Sequence, residues 1–261
     1  MKLILSRKGM DSSAGKMPSP ILPDGTLLSL PIPHKNIGVK YDDISYGNKS
    51  YAEIIRELKP SFDFDEYGCC HLDPDIRADI DGHPSDWKPA FGQCDASATL
   101  LDNQGVDVGD IFLFFGWFKQ TEYDTNGKLR FVRGAKDLHI IYGYMQVGSI
   151  VKGDDINSYN WHPHAKKAYK NNRLYIPSDT LSFADNVMGY GVLEYDKKNV
   201  LTKEGYSRSR WNMPKCFNPT VKIAGCGDCF KEDYFQSPGR GQEMVFDVTD
   251  EIMDWIKTIV L

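Results

Sequence analysis

Val108-Gly109-Asp110-Ile111-Phe112-Leu113-Phe114-Phe115-Gly116-Trp117-Phe118 is the stretch on which the fold turns. Its apolar residues follow one another without polar alternation, the pattern of a strand covered on both faces, and Gly109-Asp110 supplies the turn that starts it. The apolar run of about eight residues falls well short of the ~20 that a membrane-crossing helix needs. After it comes a polar hairpin tip, Asp124-Thr125-Asn126-Gly127, and then two further strand-like runs at residues 129–132 and 138–148. Their spacing predicts antiparallel partners for the central strand.

Further out, residues 2–6 read as a first strand, followed by a polar, glycine-containing loop to about Pro20 and a second extended stretch at residues 26–32. Ser50-Tyr51-Ala52-Glu53 has the capping-box pattern, and Ile54, Ile55 and Leu58 continue it with helical spacing until Pro60. A shorter helix is predicted from Asp95 as N-cap through Ala98, Leu100 and Leu101 to Gly105. Short strands are expected at residues 173–176, 191–195 and 221–223. At the end, Ile252, Trp255, Ile256 and Ile259 form an apolar stripe after Thr249 or Asp247 as cap. No repeat or linker divides the chain, so the expectation is a single α+β domain over residues 1–261. Its sheet is expected to be mixed and strongly curved or barrel-like, with peripheral helices.

Composition narrows the function. The net charge of −5 argues against a protein that coats nucleic acid through a basic surface, although a local basic groove is compatible with it. A hydrophobic fraction of 41% with 26% charged residues excludes disorder along most of the chain. Charges at Lys2, Arg7 and Lys8 interrupt the first apolar stretch before it becomes a secretory signal, so a cytoplasmic protein with no membrane span is expected. The six cysteines are too sparse for a secreted disulfide framework, and free thiols are the expectation.

The loop that leaves the first strand, Ser6-Arg7-Lys8-Gly9-Met10-Asp11-Ser12-Ser13-Ala14-Gly15-Lys16, carries cations, hydroxyls and glycines together. Arg7, Lys8, Gly9, Ser12, Ser13 and Lys16 are the candidates for a phosphate or ribose contact. Asp11 is the candidate catalytic acid/base or orienting carboxylate. The loop is not a Walker loop, because Gly9 and Gly15 lie one residue too far apart and Met17 follows Lys16 where Ser or Thr should stand. Equally, it reads as a solvated loop with Asp11 or Ser12 capping a turn. Tyr206-Ser207-Arg208-Ser209-Arg210-Trp211 interleaves aromatics with arginines, a mix suited either to stacking a base beside a phosphate or to a snorkelling strand edge. Cys226-Gly227-Asp228-Cys229 with Cys216 is an incomplete zinc pattern, so no metal ligand is assigned. His162-Pro163-His164 reads as an exposed loop, with a ligand or catalytic pair as the alternative, and His139, inside a strand, as structural.

The block from Ile4 to Ser13, continued by Pro18-Ser19-Pro20-Ile21-Leu22-Pro23-Asp24-Gly25-Thr26-Leu27-Leu28-Ser29-Leu30-Pro31-Ile32-Pro33, resembles the opening of the third type of nucleotide modification associated domain. Residues 109–118 are similar to the same family. The resemblance covers most of the chain and implies a place in bacterial or phage systems that modify nucleic-acid bases, with partner modification enzymes, without assigning a cofactor or a reaction. A second, shorter likeness is to pseudo-barrel domains that read modified bases, carried by residues 109–118 and 143–151. It implies a pocket in which a flipped base stacks on aromatics, with Trp117, Tyr142, Tyr144, Arg210 and Trp211 as candidates. The leading expectation is therefore a protein that binds a nucleotide or nucleobase, in nucleic acid or free, and acts on or recognises a modified nucleotide. The alternatives are a non-catalytic reader of modified bases in DNA and a partner-docking accessory protein with structural zinc.

Overall fold

A computed structural model describes residues 1–239 and 241–261. Its principal sheet has ten strands: β1 (Lys2–Arg7), β2 (Ser19–Ile21), β3 (Phe91–Gln93), β4 (Ile111–Tyr123), β5 (Leu129–Phe131), β6 (Leu138–Lys152), β7 (Arg173–Pro177), β8 (Tyr190–Val192), β9 (Ile223–Ala224) and β10 (Glu243–Asp247). The path across it runs β9-β10-β1-β4-β6-β7-β3, with β2 and β5 pairing with β4 and β8 with β6. The helices are α1 (Tyr51–Leu58), α2 (Asp95–Asn103) and α3 (Asp250–Val260). The pairing is mixed, since β1 runs parallel to β4 while β6 and β10 are antiparallel to their neighbours. The expected α+β architecture with a large mixed sheet is what forms, and among the described residues β9 and β3, the two ends of the path, do not pair, so the sheet does not close into a barrel.

The central run behaves as a strand buried on both faces. Side chains alternate across the sheet, so Ile111, Leu113 and Phe115 join one apolar cluster and Phe112, Phe114 and Phe118 the other. The first cluster is closed by Ile252, Ile256 and Ile259 of α3, whose N-cap Thr249 accepts a hydrogen bond from the Ile252 N–H. The second takes Phe91 and Tyr175 from the far strands β3 and β7. A third cluster forms around Tyr51, Ile54 and Ile55 of α1, which begins in the capping box of Ser50 and Glu53. Against it pack short strand pairs, including Ile32–His34 with Cys69–His71, and these carry His71 and the following Asp73 toward the sheet.

Two local expectations change. The stretch 26–32 is not one strand: Asp24-Gly25 turns the chain, the Thr26 N–H bonds Asp24 Oδ1 at 2.9 Å, and the ladder position beside β4 goes to β2 instead. Helix α2 starts one residue earlier than expected: Cys94 takes the N-cap position without a side-chain cap hydrogen bond, and the Asp95 N–H, inside the first turn, donates to the Lys170 carbonyl at 2.7 Å.

Candidate functional site

Strands β1 and β2 both lie parallel along β4. Arg7 leaves the sheet opposite Phe115, and Ser19 returns opposite Phe118. The intervening loop is thereby fixed at both ends beside Gly116 and Trp117. Gly9 makes the exit turn with φ +81°, and a Cβ there would come within 2.8 Å of Ser29 Oγ. The loop then closes on itself through Asp11, whose Oδ1 accepts from the Ser13 N–H at 2.7 Å, Ser13 Oγ at 2.6 Å and the Ala14 N–H at 2.9 Å. Burial pushes this carboxyl upward, but the Ser13 and Ala14 hydrogen bonds and the Arg7 charge outweigh it, so its pKa falls below the ordinary value. Asp11 is thus held ionised at neutral pH, as the acceptor on which the loop closes.

Between this loop, the segment 134–137 and the segment 206–209 lies a cavity of about 670 Å³. Arg7, Asp11, Ser12, Ser13 and Trp117, all picked out by sequence, line it together. Arg208, which had been noticed only as part of the Tyr206–Trp211 stretch, stacks its guanidinium 4.1 Å from the Trp117 ring centroid and donates to Ser12 Oγ. The Trp117 indole is held from its edge, its Nε1 donating to Asp137 Oδ1 at 2.8 Å. His139 also lines the wall. Its Nδ1 accepts from Trp211 Nε1 at 3.0 Å, which leaves the ring proton on Nε2. Burial, with Arg208 and Arg7 nearby, pushes its pKa down to about 3, so the ring is neutral at physiological pH.

The other candidates direct their side chains elsewhere. Lys8 borders the same cavity, but its side chain turns to the opposite side of the strand end. Its Nζ lies 3.2 Å from Glu243 Oε1 and 2.9 Å from Gln242 Oε1, over the Phe91 ring, in a buried ion pair. Lys16 is exposed on a separate concavity with Lys59 and Phe62. Trp211 is fully buried against Phe115 and Phe235, with no ring face left for a base. Tyr142 packs on Phe118 in one core and Tyr144 sits in the other, its hydroxyl directed at the Met188 carbonyl. Arg210 is exposed and lies over Tyr234 and Tyr206.

A second constellation escaped the sequence. The segment His162-Pro163-His164 is not exposed: both imidazoles are buried, and they converge with His71 on the buried carboxylate of Asp73. Their sequence separation hid them, because only the folding of the 69–73 segment against β3 and the 162–164 turn makes them neighbours. A cavity of about 300 Å³ opens beside them, lined also by Lys8, Gln93 and Cys94. Of the cysteines, Cys226 and Cys229 lie side by side with their Cα atoms 5.9 Å apart, and Cys69, Cys70, Cys94 and Cys216 are free. No helix among the described residues is long and apolar enough to cross a membrane.

Comparison with known proteins found no match among curated proteins and none among solved structures. A family model does match, over residues 2–247 of the 261, and that span contains both constellations and the whole principal sheet. The family is associated with nucleotide modification, in keeping with a cavity that sets arginines and hydroxyls beside an indole. The chain belongs to the family described as nucleotide modification associated domain 3.

Proposed function

We propose that this chain binds a nucleotide or nucleobase of a base-modification system in the cavity bounded by Asp11, Trp117 and Arg208, and that it works there beside partner modification enzymes. The observation that carries the reading is the Arg208 guanidinium stacked on Trp117 and bonded to Ser12, with Arg7 on the same wall. An aromatic ring and a guanidinium plane are the surfaces on which a base stacks, while Arg208 and Arg7, the latter also donating to the Pro238 and Gly241 carbonyls, bring positive charge for a phosphate. Ser12 and Ser13 supply hydroxyls of the kind that contact ribose or phosphate. Asp11 shapes the loop and orients the Ser13 hydroxyl, Arg208 holds that of Ser12, and the His139 Nε2–H is a neutral donor for a base-edge acceptor. The net charge of −5 favours a free nucleotide or a single exposed base over tight duplex binding, since duplex affinity comes largely from phosphate neutralisation.

A thermal-shift panel of nucleotides, nucleosides and modified bases, run beside short single- and double-stranded DNA, tests the reading. A ligand that binds only the folded state raises the melting temperature by mass action. The expected result is a shift with a nucleotide that is absent in Arg208→Ala. A shift with modified DNA alone would favour a reader of modified bases, and no shift with any of them would contradict the proposal.

A further inference from the structure

We propose that His71, Asp73 and His164 form a binding site for a divalent transition-metal ion of the zinc class, with a coordination position open to the adjoining cavity. The three ligand atoms lie within 4.8 Å of one another. Asp73 Oδ2 stands 3.7 Å from His71 Nε2 and 3.8 Å from His164 Nε2. Those gaps are too long for hydrogen bonds. They are close to the edge of a tetrahedron around an ion with ~2.1 Å bonds, which is about 3.4 Å.

The surrounding groups support the same assignment. Asn172 Nδ2 donates to the His164 carbonyl at 2.8 Å, which turns its Oδ1 to accept from His164 Nδ1–H at 2.7 Å. The His164 Nε2 lone pair is then directed at a carboxylate oxygen, an acceptor facing an acceptor, and a cation between them resolves the opposition. Holding an imidazole by its other nitrogen is how proteins orient a metal-bound histidine. The fully buried His162 Nε2 has no hydrogen-bond partner and lies 3.4 Å from Asp73 Oδ1, while the Gly92 N–H bonds that oxygen at 2.7 Å. Two imidazoles and one carboxylate suit zinc, cobalt or iron(II) and not magnesium or calcium, which take oxygen ligands. Three protein ligands beside a cavity are the arrangement of an ion that carries water or a ligand rather than a closed structural site.

The test is equilibrium dialysis of the full chain against cobalt(II), followed by metal analysis and visible spectroscopy. One equivalent is expected, with ligand-field bands of low-symmetry nitrogen and oxygen coordination, displaced by zinc and not by magnesium. His71→Ala, at the most accessible of the three ligands, should lower affinity at least tenfold while keeping the wild-type near-ultraviolet circular dichroism. Asp73→Asn should do the same, judged by the same folding check. Sub-stoichiometric binding by the wild type, unchanged affinity in a folded His71→Ala, or a thiolate charge-transfer band placing the ion on cysteine would each overturn the proposal.

Discussion

Replacing Lys8 by Met should unsettle the fold while leaving the side chains of Arg7, Trp117 and Arg208 around the cavity in place. Strand alternation sends the Lys8 ammonium away from Arg7 and onto Glu243, whose side chain is fully buried. With Lys8 gone, that carboxylate keeps only the Gln93 amide as its side-chain donor. Removing one member of a buried ion pair costs about 3–5 kcal/mol, because the remaining charge is left uncompensated in a low-dielectric site. The Gln93 bond places the expected loss toward the lower end. At ~2–4 °C per kcal/mol for a chain of this size, the melting temperature should fall by about 6–12 °C. The double variant Lys8→Met/Glu243→Gln should regain most of that loss, since an ion pair replaced by neutral groups of similar volume is often nearly neutral in stability. Thermal melts followed by circular dichroism give both numbers, and nucleotide titration of the folded single variant at low temperature should give wild-type affinity. A single variant melting within about 2 °C of wild type, or a double variant no better than the single, would refute the reasoning.

Two further outcomes follow from the same loop. Gly9→Ala places a Cβ at φ +81° and 2.8 Å from Ser29 Oγ, so it should destabilise by ~1–3 kcal/mol in urea melts. An unchanged midpoint would show that the loop relaxes freely. For Asp11 the folded pKa is lowered, so its contribution to stability is present above the ordinary carboxylate range and is lost as pH falls through the folded value. Asp11→Asn should therefore melt lower than wild type at pH 7, with the difference shrinking toward pH 2–3. A difference that stays constant over that range would count against the carboxylate's role.

Much of the sheet could be read from the sequence, and the reason is local. An unbroken apolar run, a polar hairpin tip and a capping box each carry their own geometry, and β4, β5, β6 and α1 formed where those signals placed them. The loop at residues 6–16 was recognisable as a cluster of cations and hydroxyls. Its meeting with Trp117 was not, because that depends on β1 and β2 both lying parallel along β4. Lys8 illustrates a signal that was available: adjacent residues at a strand end point opposite ways, so the Arg7 and Lys8 side chains turn to different partners. Trp211 and the two tyrosines went to the core, the commoner fate of aromatics on strands. The histidine and aspartate constellation joins residues nearly a hundred positions apart through turns that have no periodicity to read. Asp73 looked like one carboxylate among many until burial set it apart.

The most direct test of the account is calorimetric titration of the nucleotide identified by the thermal-shift panel into wild-type protein, Trp117→Leu and Arg208→Ala. Base–aromatic stacking is worth about 1–3 kcal/mol per base, so Trp117→Leu should weaken binding by ~5–150-fold. Arg208→Ala should weaken it at least tenfold, with the stoichiometry kept at one. Wild-type affinity in both folded variants would mean that the ligand binds elsewhere, and the cavity beside Trp117 would lose its assigned role.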